Sequence, residues 1–382
     1  MSRNPRQNAR QEAPRRTLVV AVSARMLAEL AVADGYEVVA LDRFGDVDLR
    51  AVAPGATARS NDALAALAAD TGADALVYGA GFENRPDLVA RMARGRELLG
   101  TRPELLARVR NPWALGDAAR AAGARAPETR PADELPQPAR AAPDEAVPAG
   151  WLRKPRQGGG GRGVRVWRGG SLRRSEILQR RVHGLSCSAV AIGDGRRAWV
   201  LGLTEQLHRA PGFQWMGNVT PPRLPDGERA ELDGQLRAVC AEVAARFGVR
   251  GAFGVDAVWD GRHAWVLEVN PRPPAGLELF GPGSFKAHVR GARGLAAPPT
   301  GSTPAPGCAK VKLVLFADRD LRAPDPGWWP ADLVRDVPRA GETIRRGAPV
   351  CTLVSAGASA PELATRGAGL LSALPEAALA RG

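Results

Sequence analysis

The chain has 382 residues, of which 45% are hydrophobic and 24% are charged, and its formal net charge is +13 at pH 7. These values are typical of a globular protein with two or three domains. No apolar run approaches the roughly 18 residues of a membrane span. Four scattered cysteines without a CxxC pair exclude a disulfide framework and a cysteine-based zinc site. The composition therefore favours a cytoplasmic protein that contacts no membrane.

The positive charge comes almost entirely from arginine, because the only lysines are Lys154, Lys286, Lys310 and Lys312. The arginines are interspersed with acids and no nucleic-acid module is recognisable, so we expect no nucleic-acid partner. Residues 1–16 are polar and lack the apolar core of a secretory signal, which predicts a disordered tail. A weak contact of that arginine-rich tail with nucleic acid or an acidic surface is the less favoured interpretation.

The first elements of the chain alternate between strand and helix. Strands are predicted at 18–22, 36–41 and 75–78, with helices at 24–34 and 62–71, and this alternation predicts a parallel sheet. No GxGxxG motif follows the first strand, so a nicotinamide site that uses Asp42 is only a second choice. Glu83 follows the third strand at its carboxyl end, where it could contact a cationic substrate or begin a helix.

A glycine-rich loop lies in the middle of the chain. Helices are predicted at 86–110 and 112–122, followed by a proline- and alanine-rich connector at 123–150. Lys154 then precedes the glycines Gly158, Gly159, Gly160, Gly161 and Gly163, and a strand is predicted at 164–167. Backbone N–H groups of such a loop can approach phosphate oxygens, and the lysine adds a positive charge for them. A flexible linker is the alternative, but linkers seldom join two strands of one hairpin.

The next part of the chain is predicted to be mostly β. A strand at 175–182 precedes a hairpin with strands at 188–192 and 198–204. Residues 206–222 are predicted to be a long irregular segment that lines a substrate cleft, with Gln206 and Asn218 as candidate substrate contacts. An amphipathic helix is expected at 229–247. From residue 310, short strands and turns predict a small β-rich unit, which a helix at 361–381 follows.

One hairpin carries the most specific pattern in the chain. Strands at 253–259 and 264–270 are joined by the turn signal Asp260-Gly261, which places Asp256 opposite Glu268 within a residue of register. Asn270 lies on the same face as Glu268, beside Arg272. Three oxygen donors of this kind suit Mg²⁺. Ordinary surface acids are the alternative, but apolar residues flank Glu268, and a carboxylate there needs a partner.

These features together resemble the ATP-grasp superfamily over roughly residues 18–357, with GVDAVWDGRHAWVLEVNPRP as the most specific motif. The segments GAGFE and KVKLVLFA are most similar to a predicted ATP-dependent carboligase branch related to biotin carboxylase and carbamoyl phosphate synthetase. The resemblance implies an α/β (α+β) ATP-grasp fold. Its expected parts are a tail at 1–16, a Rossmann-like pre-ATP-grasp domain at 17–110, a nucleotide- and metal-binding domain at 111–290, and a β-rich C-terminal unit with a terminal helix at 305–382.

The resemblance also implies roles for individual residues. Lys154 and Arg272 would be catalytic, on the ATP phosphates and on the transferred phosphoryl group. The loop at 158–163 would be a lid over the phosphates. Mg²⁺ or Mn²⁺, as two ions, would be bound by Asp256, Glu268 and Asn270. Adenine would contact the hinge that contains Gln179, Arg180 and Val182.

The chain departs from the family pattern at two places. Gln179 stands where members usually have an acid. Many members also have a lysine on the nucleotide earlier in the chain, whereas here no lysine precedes Lys154, which leaves Arg108 or Arg110 as candidates. Both departures concern nucleotide affinity, and neither touches the metal-binding set.

The function that the resemblance implies is an ATP-dependent carboxylate–amine ligase that forms an acyl phosphate, in the biosynthesis of a pterin or furan coenzyme of one-carbon metabolism. Its partners would be ATP, a small carboxylate and an amine, and a homodimer is expected by analogy. Two alternatives stay open at this point. One is a carboxylase that uses carboxyphosphate, and the other is an ATP-binding regulatory or assembly protein without turnover.

Overall fold

The computed structural model describes residues 16–132, 150–295 and 309–374. Nearly all of the predicted tail, most of the connector at 123–150, Cys308 and the last residues of the predicted terminal helix lie outside these ranges. The described helices are α1 (Arg25–Ala33), α2 (Val47–Val52), α3 (Asn61–Leu67), α4 (Pro86–Met92), α5 (Pro103–Val109), α6 (Pro112–Ala121), α7 (Asp226–Phe247), α8 (Ser284–Ala292) and α9 (Ala360–Ala373). Short 3₁₀ helices lie at Ala68–Thr71, Ala275–Phe280 and Pro326–Trp328.

The described strands fall into an N-terminal and a C-terminal group. The first group is β1 (Thr17–Val20), β2 (Val38–Asp42), β3 (Gly55–Thr57), β4 (Ala75–Tyr78), β5 (Glu97–Leu98), β6 (Thr129–Pro131), β7 (Trp151–Pro155), β8 (Arg165–Val166) and β9 (Glu176–Arg180). The second is β10 (Leu185–Asp194), β11 (Ala198–Arg209), β12 (Gln214–Thr220), β13 (Arg250–Trp259), β14 (Ala264–Asn270), β15 (Lys310–Phe316), β16 (Leu321–Arg322), β17 (Val334–Arg335), β18 (Thr343–Ile344) and β19 (Pro349–Ala356).

Strands β1 to β5 form a parallel sheet in the order β3-β2-β1-β4-β5. This confirms the α/β arrangement expected from the alternating pattern. The single helix predicted at 86–110 is wrong, because α4 ends at Met92 and the short strand β5 intervenes before α5. Gly95 follows α4 with a left-handed φ of +72°, a conformation that ends a helix, and Pro103 begins the next one.

Three antiparallel sheets follow in the described part of the chain, and the smallest is the pair β16-β18. A small sheet in the order β6-β9-β7-β8 carries Lys154 on β7 and Gln179 on β9. The larger sheet has eight strands in the order β14-β13-β10-β11-β12-β15-β19-β17. Strands β15, β17 and β19 thus extend the same sheet that contains the predicted metal hairpin. The separate boundary at 305–382 stays a prediction.

Residues 206–222 are regular, and the predicted irregular segment is wrong. β11 continues to Arg209, and β12 returns along it with Gln206 opposite Asn218. A register shift between Leu207 and His208 interrupts the alternation of side chains. Such a bulge removes the period-two pattern by which a strand is recognised in sequence.

The main core lies between the large sheet and α7. The predicted apolar face of this helix is buried, including Leu232, Leu236, Val239, Val243 and Phe247. Within the described ranges, no helix combines the length and the apolar character needed to cross a membrane.

His288 on α8 closes the contact between the two larger sheets. Its Nδ1 accepts a hydrogen bond of 2.8 Å from the backbone N–H of Ala252. Its Nε2 lies 3.1 Å from the carbonyl oxygen of Leu99, to which it donates as the neutral tautomer. A side chain at Gly251 would clash with the imidazole, since a Cβ there would lie 2.6 Å from Nδ1. Burial lowers the pKa of His288 to about 4.

We expect His288 to make stability depend on pH. The folded-state pKa lies below the ordinary value near 6.5, so its contribution is present above pH 6.5 and is lost as the pH falls towards 4. The loss corresponds to about 3 kcal/mol in the free energy of unfolding. Urea unfolding between pH 7 and 4 measures it. His288→Gln should be less stable at pH 7 and less sensitive to acid, whereas His183→Gln, at an exposed histidine, should follow the wild type.

Candidate functional site

The predicted hairpin forms with the expected register. β13 and β14 pair with Asp256 opposite Glu268 and Gly254 opposite Asn270. Asp260 fixes the turn by accepting hydrogen bonds from the backbone N–H groups of Arg262 and His263. These side chains are therefore placed by a regular antiparallel ladder and a closed turn.

Asp256, Glu268 and Asn270 lie together. The Asp256 carboxylate accepts hydrogen bonds of 2.9 Å from both Asn270 Nδ2 and Gln206 Nε2. Burial, and then the charge of Glu268, raise the pKa of Asp256 to about 7. Two adjacent carboxyl groups whose negative charges oppose each other are a donor set that a divalent cation can neutralise. The oxygen donors of this hairpin therefore fit Mg²⁺.

Three cationic side chains surround Glu268. Arg110 Nη1 lies 3.9 Å from its Oε1, and Lys154 Nζ lies 4.0 Å from its Oε2. Burial alone would raise the pKa of Glu268, but the positive charges of Arg110, Lys154 and Arg272 together hold it below its ordinary value. Glu268 is thus a carboxylate inside a ring of positive charge, a setting suited to polyphosphate.

The structure distinguishes the two arginines that could replace the missing early lysine. Arg110 donates to the carbonyl oxygen of Val269 at 3.0 Å and also to that of Gly158 in the glycine loop. Arg108 instead is exposed and lies over the ring of Phe247. Arg110 therefore joins the metal hairpin to the loop, and Arg108 does not.

We expect Arg110→Ala to weaken ATP binding by about 10- to 100-fold, the loss typical of a charge-assisted contact. Arg110→Lys should retain part of the affinity, because lysine keeps the positive charge. It should not retain all of it, because lysine lacks the planar guanidinium group. Calorimetric titration with Mg-ATP measures this effect, and Arg108→Ala is the matched control. Equal losses for Arg108→Ala and Arg110→Ala would contradict the assignment of Arg110 to the nucleotide.

Arg272 is held by the N-terminal sheet. Its Nε donates to Glu83 Oε1 at 3.2 Å, and its Nη2 donates to Asn270 Oδ1 at 3.3 Å. Glu83 is 4% exposed and also accepts a hydrogen bond of 2.6 Å from the backbone N–H of Gly81. Glu83 therefore positions Arg272. It does not begin a helix, because α4 starts only at Pro86.

Tyr78 is a supporting residue that the sequence interpretation missed. Its hydroxyl lies 3.0 Å from the carbonyl oxygen of Pro271 and 2.8 Å from that of Thr101. It thus ties the segment between Asn270 and Arg272 to the end of β4. The sequence signal that could have identified Tyr78 is a polar aromatic residue at the carboxyl end of a buried strand.

The glycine loop lies against the tip of the β11–β12 hairpin. The backbone N–H of Trp215 donates to the carbonyl oxygen of Gly160 at 2.9 Å. Gly161 has a φ of +68°, and a Cβ there would lie 1.7 Å from the carbonyl oxygen of Phe213. Only glycine allows this approach. The loop therefore packs against the β11–β12 hairpin through Gly160 and Gly161.

The hinge residues lie at the end of β9. Gln179 is buried, accepts a hydrogen bond of 3.3 Å from Lys154 Nζ and donates one of 3.1 Å to Thr129 Oγ1. The backbone N–H of Arg180 is bonded to the carbonyl oxygen of Glu128, and its side chain stacks on Trp151. Val182 makes no backbone hydrogen bond within the described ranges. An amide thus occupies the usual place of the acid and orients the lysine.

A narrow cleft of about 20 Å³ lies between α6, β7 and β14. Arg110, Lys154 and Glu268 line its polar end. Its apolar wall consists of Val109, Pro112, Leu115, Ile177 and Leu267. An apolar cleft that ends in positive charges and metal ligands has the layout of a nucleotide site.

The two further substrate candidates have partners of their own. Gln206 contacts Asp256, as described, and so lies beside the metal ligands. Asn218 is 3% exposed, donates to Thr204 Oγ1 at 2.8 Å and accepts from Trp215 Nε1 at 3.1 Å. These hydrogen bonds account for Asn218 within the sheet, while Gln206 lies beside Asp256 at the predicted metal site. Their contact with substrate stays a prediction.

Comparison with known proteins agrees with this geometry. Residues 113–276 match the family model of the ATP-grasp domain. No curated protein matches the chain in sequence. The matched range contains Lys154, the glycine loop, the hinge and the metal hairpin, whereas the parallel sheet and strands β15–β19 lie outside it.

Solved structures extend the likeness to nearly the whole chain. The chain resembles the biotin carboxylase domain of Hydrogenobacter thermophilus 2-oxoglutarate carboxylase with MgADP and bicarbonate (15% identity, TM-score 0.69, 96% of this chain and 91% of that one). It also resembles Thermotoga maritima N5-carboxyaminoimidazole ribonucleotide synthetase (14% identity, TM-score 0.62, 94% of this chain and 99% of that one). Rhizobium etli pyruvate carboxylase matches with 18% identity and a TM-score of 0.70 over 95% of this chain, which spans 37% of that protein.

Proposed function

We propose that this protein, which has the ATP-grasp fold of biotin carboxylase and N5-carboxyaminoimidazole ribonucleotide synthetase, is an ATP-dependent carboxylate–amine ligase. The observation that carries the proposal is the ring of Arg110, Lys154 and Arg272 around Glu268, next to Asp256 and Asn270. A protein that only bound a nucleotide would have little need for an arginine fixed beside the metal ligands. Phosphoryl transfer needs such positioned charges.

The chain's own residues have distinct tasks in this reaction. Asp256, Glu268 and Asn270 would hold Mg²⁺, which when bound supplies charge neutralisation for the phosphates of ATP. Arg110 and Lys154 bind those phosphates, and the glycine loop excludes water. Arg272, oriented by Glu83, stabilises the charge on the transferred group.

The reaction has two balanced steps. A carboxylate oxygen of the substrate attacks the γ-phosphorus in line, and the bond to the β–γ bridging oxygen breaks, which releases ADP. The amine nitrogen then attacks the carboxyl carbon of the acyl phosphate, loses a proton and expels inorganic phosphate. No nucleophile of the protein is needed.

A carboxylase that forms carboxyphosphate is a second candidate. It is favoured by the fold likeness to a biotin carboxylase domain whose structure contains bicarbonate. In that reaction bicarbonate would take the place of the substrate carboxylate at Arg272. An ATP-binding protein without turnover is a third candidate, to which the amide at Gln179 in place of the usual acid points.

ADP release from Mg-ATP, measured with amino acids, pterin and furan carboxylates, or bicarbonate as the acceptor, tests these functions. Release that requires both a carboxylate and an amine, with an amide as the product, supports the ligase. Release with bicarbonate alone supports the carboxylase. ATP that binds without turnover in any mixture would leave only a binding role. The pterin or furan context, the cytoplasmic location and a homodimer stay predictions.

A further inference from the structure

A second charged cluster lies at the carboxyl edge of the N-terminal sheet, centred on Arg25. This arginine is fully buried and lies within ion-pair distance of Glu29, Asp48, Glu278 and Asp336. Of these four, only Glu278 has a second cation at salt-bridge distance within the described ranges, namely Lys312. One guanidinium thus serves several carboxylates, and negative charge is in surplus.

Asp46 extends this cluster and has an unused oxygen. It is 7% exposed, and its Oδ2 is buried without a hydrogen-bond partner among the described residues. Burial, and then the charges of Asp336, Asp42 and Asp48, raise its pKa to about 9, against the opposing charge of Arg25. At neutral pH the group is therefore a buried acid that carries a proton.

The neighbouring carboxylates already have partners. Asp42 accepts from the backbone N–H of Gly45 and lies 3.4 Å from Arg50. Asp48 accepts from the backbone N–H groups of Asp336 and Val337. Asp336 accepts from Arg25 and from Ser23 Oγ. Asp46 is thus the carboxyl group with acceptor capacity left for a ligand.

The rim of this cluster is partly open to solvent. Ser23 is exposed, and the side chains of Asp48 and Asp336 are each 20% exposed. Cys351, a buried thiol whose pKa is raised by its burial and by Asp336, Asp48 and Asp46, faces the cluster from β19. The carboxyl edge of a parallel sheet is where open α/β folds bind ligands.

The chemistry favours an organic cation over a metal ion. Within the described ranges, no group of three or more His, Cys, Asp and Glu side chains is arranged to hold a metal. An ammonium group has three N–H donors and demands less regular geometry. We propose that Asp46, Asp48 and Asp336 bind the ammonium group of a small organic amine at a site distinct from the ATP cleft. The inference does not depend on the proposed ligase activity.

Binding of this kind displaces a proton. An ammonium ion beside Asp46 favours the carboxylate, so the proton of Asp46 must leave when the amine binds. Affinity should therefore fall by about tenfold for each pH unit below 9. The charged and titratable groups that face this carboxyl are Asp42, Asp48, Asp336, Arg25 and Cys351, and Arg50 pairs with Asp42.

Calorimetry on the full chain without ATP tests the site, with 1,4-diaminobutane as the probe and 1,4-butanediol as its uncharged control. We expect the diamine to bind and the diol not to bind. Titrations in buffers of different ionisation enthalpy should show that about one proton is released for each diamine bound. Binding of the diamine should be tighter at pH 8.5 than at pH 7. Asp46→Asn, which matches the protonated acid in shape, should fold normally and lose at least tenfold in affinity. Asp70→Asn, at an exposed position of the same sheet unit, should bind like the wild type.

Three outcomes would overturn the proposal: no binding of the diamine at millimolar concentration, equal binding by Asp46→Asn, or binding of MgCl₂ that depends on Asp46 while the diamine does not bind. Because ATP is absent, each outcome leaves the ligase proposal untouched.

Discussion

Glu268→Gln is expected to abolish the stabilisation of this protein by Mg-ATP. In the wild type, ligand at 100 times its Kd should raise the free energy of unfolding by about 2.7 kcal/mol, provided that only the folded state binds. The substitution removes the carboxylate that Arg110 and Lys154 surround and that pairs with Asp256 across the hairpin. Because the predicted metal ligands lose their central charge, kcat/KM of Glu268→Gln should also be about 10²- to 10³-fold lower than that of the wild type.

The measurement is the change in Tm on addition of ATP, with Mg²⁺ or with EDTA. The two proteins are compared by the change in Tm that ATP causes in each, and not by Tm itself. Glu268→Gln leaves three cations without their partner and should therefore change the Tm of the protein without ATP. Glu231→Gln, at an exposed position on α7, is the control. A Mg²⁺-dependent shift of normal size in Glu268→Gln would show that this hairpin is not the metal site.

Arg272→Lys is expected to lower kcat strongly while ATP binding changes little. Arginine contacts Glu83, Asn270 and the carbonyl oxygen of Pro273 at the same time, and the single ammonium group of lysine reaches fewer of these partners. If Arg272 stabilises charge that develops during phosphoryl transfer, the loss should be about 10²- to 10³-fold in kcat. The Mg-ATP shift in Tm should stay close to that of the wild type.

Glu83→Gln separates positioning from direct contact. It keeps the shape and removes the charge that orients Arg272, so we expect a smaller loss of kcat than for Arg272→Lys and no further loss when the two are combined. ADP release with the acceptor that supports turnover measures both variants, and Arg262→Lys, exposed in the hairpin turn, is the control. Additive losses would mean that Glu83 acts separately, for example on the substrate amine.

The β13–β14 hairpin and its register could be predicted because their signals are local. Alternating apolar residues, the Asp260-Gly261 turn and the spacing of Glu268 and Asn270 all fall within a short stretch, so strand periodicity alone sets the register. The long helix at 86–110 failed because two short breaks at Gly95 and Pro103 outweighed the helical pattern between them.

Other parts depend on contacts between distant residues. Arg110 and Arg108 are equivalent in sequence, and only packing places one against Gly158 and the other on Phe247. The cluster at Arg25 joins residues separated by up to 311 positions, for which no local pattern exists. The hairpin at 206–222 was missed because a bulge hid its alternation.

The strand order of the large sheet also sets the order in which the protein can be completed during synthesis. β15 pairs with β12, and β19 then pairs with β15 and β17, so the sheet that begins at the metal hairpin is unfinished until Ala356 has been made. β12 presents an open edge of unpaired backbone groups until β15 is in place, and β15 then presents one until β19 pairs with it. A nascent chain with all the residues of the predicted ATP site would therefore still expose a sheet edge that other strands can join.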